Sequence, residues 1–293
     1  MVANDKAVTD ETLFRLKGLS NLQHLCVKGT QITDQGLAVV EGMPDLKVLW
    51  LDDTPVTDVG LAHFTGLTKL ERLLLRNTEV SDAGIQTLSR LKNLKALDLA
   101  GTRITDAGLV HLNDLVNLQE LDLANTRVGD VGLVQLTKLS RLEWLHLSNT
   151  DLSDRGLRTL SQMQNLKSLW LDNTNLTDEG LMHLSALANL VNVQLDGTHI
   201  TGAGLGHLTD LKSLRYIWLA DQQVDDEGLR HLSKMTGLEQ LLITGRQPSA
   251  LRLAQLRRAL PLPEIKSPKG DWYGPRLSTM PPAPESPALP DEN

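Results

Sequence analysis

The chain is short of cysteine, of aromatic residues and of long apolar runs, and each shortage excludes something. Cys26 is the single cysteine among 293 residues, so no internal disulfide framework holds the fold, and the composition suits a reducing compartment. No stretch reaches the roughly eighteen consecutive apolar residues of a membrane-spanning helix. Residues 1–10 are polar and lack the apolar centre of a signal peptide. A cytoplasmic location is therefore expected, unless the chain is a fragment separated from its leader. Positive charge is short as well: 29 Lys and Arg against 36 Asp and Glu leave a formal net charge of -7. With no basic run to offset it, neither nucleic acid nor an anionic membrane is an expected partner. Only five Trp, two Tyr and two Phe are present, so the core has to be built from aliphatic side chains.

What the chain has in abundance is leucine, in strict register. Leu22, Leu46, Leu70, Leu94, Leu118, Leu142, Leu166, Leu190, Leu214 and Leu238 are spaced by 24 residues without a slip. Three residues after each stands a second apolar side chain (Leu97 or Ile217, for example), and two further on a third (Leu99 or Leu219). The last two alternate with period two, which predicts a short strand with one buried face. Thr30, Thr54, Thr78, Thr102, Thr126, Thr150, Thr174 and Thr198 follow at the same interval, and a hydroxyl there can bond the backbone where the chain leaves the strand. Next comes a run such as Ile104 to Leu112. Thr105 or Asp106 suits a helix N-cap, and Leu109, Leu112 and Leu115 recur at helical spacing. The glycine at 36, 60, 84, 108, 132, 156, 180, 204 and 228 reads as a point of close approach in the first helical turn.

One strand and one helix cannot bury their own leucines, but a stack of them can. Parallel strands sit about 4.8 Å apart whereas packed helices need roughly 8–10 Å, so the stack must curve with the strands on its inner side. The unit L-x-x-L-x-L-x-x-T-x-[IV]-[TS]-D-x-G-L-x-x-L, as in Leu94 to Leu115, resembles the leucine-rich-repeat family. Its T-D-x-G-L helix start is similar to the ribonuclease-inhibitor-like and cysteine-containing subtypes and to many bacterial repeat proteins. The resemblance covers about residues 7 to 262. It implies an α/β solenoid, a horseshoe with parallel strands on the concave side and helices on the convex side, whose usual activity is protein recognition by the concave sheet.

The repeat domain is expected over residues 1–262. Residues 7–19 match the helical half of a unit without its strand, either as a cap or as the start of a fragment, and a C-terminal cap helix is predicted at about 249–260. Residues 263–293, with Pro281, Pro284, Pro287 and Pro290 every third position, read as a Pro-rich disordered tail.

The residues flanking the buried strand positions face the concavity. Trp50, Trp144, Trp170, Tyr216 and Trp218 fall among them although packing does not require aromatics there, and such residues dominate binding hot spots. With His146 they form a candidate patch, beside which stand Asp98, Asp122 and Asp172. In these columns six acids, including Asp52, Glu120 and Asp196, outnumber Lys28, Arg72 and Arg76. A protein or peptide partner with a basic segment fits that balance.

Catalytic readings are weaker. Asp98 and Asp122 stand one strand apart, close enough for paired-carboxylate chemistry, but on a sheet read as open to water. His63, His111, His183, His207 and His231 share a column whose spacing is too wide for one metal ion. No phosphate-binding, nucleophile-elbow or zinc-protease motif occurs, and no cofactor or metal is expected. The leading expectation is a monomeric, non-catalytic recognition module. The alternatives are a sensing or substrate-selecting part of a larger enzyme or signalling protein, and an assembly scaffold.

Overall fold

The computed structural model describes residues 7–220, 223–244, 258 and 264–266. It is one parallel sheet in sequence order. The strands are β1 (His24–Cys26), β2 (Val48–Trp50), β3 (Arg72–Leu74), β4 (Ala96–Asp98), β5 (Glu120–Asp122) and β6 (Trp144–His146), then β7 (Ser168–Trp170), β8 (Asn192–Gln194), β9 (Tyr216–Ala220), β10 (Gln240–Thr244) and β11 (Glu264–Lys266). Each residue pairs with the one 24 positions on, Leu97 with Leu121 and Leu145 with Leu169, so the register of the sequence is the register of the sheet. The three predicted apolar series lie in one continuous core from Leu25 to Ile243. Each such leucine removed from water contributes about 1.5–3 kcal/mol, so the stacked aliphatic layers carry most of the core, with Phe64 a fully buried aromatic among them.

The alternation ends one unit later than expected. Residue 264 falls in the expected tail, yet Glu264–Lys266 pairs with β10 as the eleventh strand. Leu262 and Ile265 continue the 24-residue register, so the signal was present in the sequence. The predicted cap helix, apart from residue 258, and the Pro-rich segment from 267 onward lie outside the described residues.

The helical half is tighter than predicted. The α-helices Asp34–Leu37, Asp58–Leu61 and Asp178–Leu181 run on as 3₁₀ turns, and Gly108–Leu112 and Gly204–Leu208 are 3₁₀ throughout. Apolar side chains three apart, as at Leu109, Leu112 and Leu115, line one side of a three-residue turn, so the spacing suits this form as well.

Three periodic devices fix the turns. The threonine after each of β1 to β8 donates its hydroxyl to the carbonyl three residues back, Thr150 to Leu147 at 2.7 Å for example. The residue before it is left-handed: Gly29, Asp53, Asn77, Gly101, Asn125, Asn149, Asn173 and Gly197 have φ between 54° and 68°, a region that only Gly and, less readily, Asn and Asp enter at low cost. The third device links neighbours. Thr177 caps its helix by accepting the Glu179 amide, while its own amide and hydroxyl donate to Oδ1 and Oδ2 of Asp154 in the preceding unit. The same rung recurs from Asp10–Thr33 to Asp178–Thr201, reduced at Asp106–Gly129 to the amide alone. The recurrent glycine is explained by it: a Cβ at Gly180 would collide with the Asp154 carboxylate.

Candidate functional site

The concave face divides into two parts of different character. The first runs along β2 to β6 and is organised by Arg76, two residues beyond β3. Its Nη2 lies 3.0 Å from Asp98 Oδ2 and 2.5 Å from Asp122 Oδ2, on two successive strands. His146 Nδ1 stands 3.1 Å from the same Asp122 oxygen. The inner oxygens accept the amides of Ala100 and Ala124, each at 2.9 Å. Asp52 is held by the Trp50 indole N–H, by the Arg76 amide at 3.0 Å and by Lys28 at 3.9 Å. Lys28 in turn sits 5.8 Å from the centre of the Trp50 ring. Arg72 reaches across β4, over the small Ala96, to Glu120 at 3.0 Å.

This corrects one expectation. Asp98 and Asp122 were read as open to water, but they are 2% and 5% exposed. Side chains 4.8 Å apart across parallel strands shield one another when a long guanidinium lies over them. Burial, with the Asp122 charge adding to it, pushes Asp98 up to about 7. Burial raises Asp122 too, but His146 and Arg76 outweigh it and hold that carboxyl below its ordinary range. The pair is a closed ionic network whose oxygens are already partnered.

The second part lies on β6 to β9. The rings of Trp144 and Trp170 meet at 4.1 Å and 62°, and His146 packs 5.5 Å from Trp170. Of the five predicted aromatics these two come together. Trp170 is only 3% exposed, so it backs the surface instead of forming it. Tyr216 is turned to the sheet's edge, its hydroxyl 3.0 Å from Glu239, and that bond raises the phenol above its usual range. Trp218 is half-buried on β9 and, among the described residues, shares no ring contact with the other aromatics. Trp50 is remote, on β2, and belongs to the ionic part.

Between these walls the floor is polar. Ser168 and Asn192 are buried, and Gln194 is half-buried. Above them Asp172 accepts the Ser148 hydroxyl at 2.9 Å and the Asp196 amide at 3.1 Å. Burial pushes Asp172 up to about 6; Ser148 and His146 ease its charge and the neighbouring Asp196 opposes it. The sequence places Asp196 and Arg76 among the charges of the concave columns but gives neither a particular role, and it does not distinguish Asn192. Their signal was their place in the concave columns, but which acids acquire internal cations depends on side-chain reach across strands.

Among the described residues no group of three or more His, Cys, Asp or Glu could hold a metal ion, and no helix is long and apolar enough to cross a membrane. Cys26 is buried at the edge of β1, where desolvation raises its thiol.

Comparison with known proteins agrees with this architecture. An internalin of Listeria monocytogenes superposes with a TM-score of 0.60 at 20% identity, over 88% of this chain and 82% of that one. Internalin C2 of the same organism gives 0.55 at 28% identity, over 72% and 84%. A leucine-rich-repeat protein of Leptospira interrogans gives 0.58 at 19%, over 84% and 72%. No curated protein matches the chain. Residues 75–281 match the family described as a leucine-rich repeat region. Such folds are typical of protein-interaction modules. With the family matched over most of its length and the 24-residue register visible in every pair of strands from β1 to β11, the chain belongs to the leucine-rich-repeat family.

Proposed function

We propose that the protein is a monomeric, non-catalytic recognition module that binds a protein or peptide carrying a basic segment through the concave face of β6 to β9. The observation that carries this reading is the placement of Trp144, His146, Gln194, Tyr216 and Trp218, all at least partly exposed, on the inner face of a sheet whose core is complete without them. Large rings with a polar tip contribute most where a partner can cover them. The acids of this region supply the attraction for a cation. The ionic network on β2 to β6 is satisfied internally and serves to hold the sheet's shape beside the site.

A photo-reactive residue at position 194 tests this. A partner protein should cross-link there and not through position 134, whose Val134 is exposed on the helix Asp130–Leu136 behind the sheet. Labelling at 134 with none at 194 would reject the concave reading.

A further inference from the structure

The acids of the concave face are not equivalent, and the difference identifies what a partner must bring. Asp52, Asp98, Asp122 and Glu120 each have an internal cation in Lys28, Arg76 or Arg72. Among the described residues neither Asp172 nor Asp196 takes part in an ion pair with lysine or arginine, and the charge of Asp172 is eased only by the Ser148 hydroxyl, the Asp196 amide and the nearby His146. The two acids stand in one column on neighbouring parallel strands, two residues beyond β7 and β8, about 4.8 Å apart by strand spacing. Like charges so placed repel, and this repulsion contributes to the raised Asp172 carboxyl.

A second observation comes from the same face of β8. Asn192 is 8% exposed and, among the described residues, its Oδ1 has no hydrogen-bond donor. A buried acceptor left without a donor is a standing cost that an arriving N–H removes. In register with Asn192 lie Ser168 and Tyr216, and in register with the intervening Gln194 lie Trp170 and Trp218. Acceptors therefore run along β8 from Asn192 to Asp196, with aromatic residues on the strand to either side.

Resting on the recognition reading above, we infer that the partner's anchor is an arginine side chain, its guanidinium set between Asp172 and Asp196 and bordered by Trp218. Arginine fits where lysine does not. Its planar fork pairs with two carboxylates at once and lies flat against an indole, while the Asn192 acceptor, about 13 Å back along β8, is left for a backbone N–H of the same segment. The -7 charge of the whole chain adds long-range attraction for such a segment.

Selection from a random dodecapeptide display library on the full chain tests this. Enriched peptides are expected to share an arginine. Replacing that arginine by citrulline, and separately replacing the acids in Asp172→Asn/Asp196→Asn, should each weaken binding at least tenfold, with lysine intermediate. Peptides lost on Trp218→Ala but indifferent to the acid variant overturn the arginine anchor and leave concave recognition standing. Peptides that survive both variants, or no enrichment at all, overturn concave recognition as well. A circular-dichroism melt of each variant close to that of the parent separates lost contacts from lost fold.

Discussion

Asp154 holds Thr177 of the following unit by two hydrogen bonds at once, the Thr177 amide to Oδ1 at 2.9 Å and the Thr177 hydroxyl to Oδ2 at 2.6 Å. The hydroxyl is also the helix cap, accepting from Glu179. Helix start and neighbour contact are therefore one structure, and the Gly180 beside it exists because the carboxylate fills the space a Cβ would need.

Asp154→Ala should lower stability by about 1–3 kcal/mol, the loss expected when charge-assisted bonds to a backbone amide are removed. Gly180→Ala should cost a similar amount through overpacking, roughly 1–3 kcal/mol. The double variant should cost clearly less than the sum, since the collision needs both groups. Urea unfolding of the four proteins measures the cycle. Strict additivity would disconnect the glycine from the rung.

Among the described residues the rung is missing between positions 202 and 225. Gly202 stands where an aspartate stands earlier, and Asp225 caps its own helix by accepting the Gly228 amide at 2.7 Å. The buried amide of Gln223 takes over, donating to Leu195 and Thr198 without charge assistance. Amides of the helix Asp226–Leu232 and of β10 are expected to exchange with deuterium faster than those of β5 to β7, because the last repeats open as a unit with weaker ties to the rest. Uniform protection across the array would contradict this.

Asp98 at about 7 and Asp172 at about 6 lie above the ordinary value of 3.8. Between roughly pH 4 and those values the folded protein holds protons that the unfolded chain has released, so these two groups add stability as pH falls. Asp122, held below its ordinary range, acts oppositely, and its contribution is lost only in stronger acid. The difference in urea midpoint between wild type and Asp98→Asn/Asp172→Asn should shift in favour of the wild type on going from about pH 8 to about pH 5. A pH-independent difference would rule out buried charge as the cause.

Trp170→Ala should destabilise by about 3–5 kcal/mol, as for other buried tryptophans. Trp218→Ala, at a half-buried position without ring contacts, should cost much less. Thermal melts of the two decide whether one tryptophan is a brace and the other a surface. Equal losses would mean that both are core.

Most of the fold was legible because it is periodic. Leu97 pairs with Leu121 for the same reason that the two residues are 24 apart. The left-handed column of Asn149 and Asn173 and the eleventh strand at Ile265 are equally periodic in the sequence, though neither belongs to the leucine consensus of the repeat. The candidate site was legible only as columns. That Arg76 lies across Asp98 and Asp122, while no lysine or arginine among the described residues pairs with Asp172, follows from side-chain length and from small neighbours such as Ala96 and Ala100, which a column of letters does not weigh.

Every rung joins a residue to one 23 positions on, always in the next unit. Removing or duplicating a whole 24-residue unit would thus leave a complete set of rungs, whereas gaining or losing one residue within a unit would throw the neighbouring rungs out of line. Array length is a freely adjustable quantity for this protein and phase is not. The face proposed for binding over β6 to β9 could accordingly be carried closer to or farther from either end, its arrangement of side chains intact.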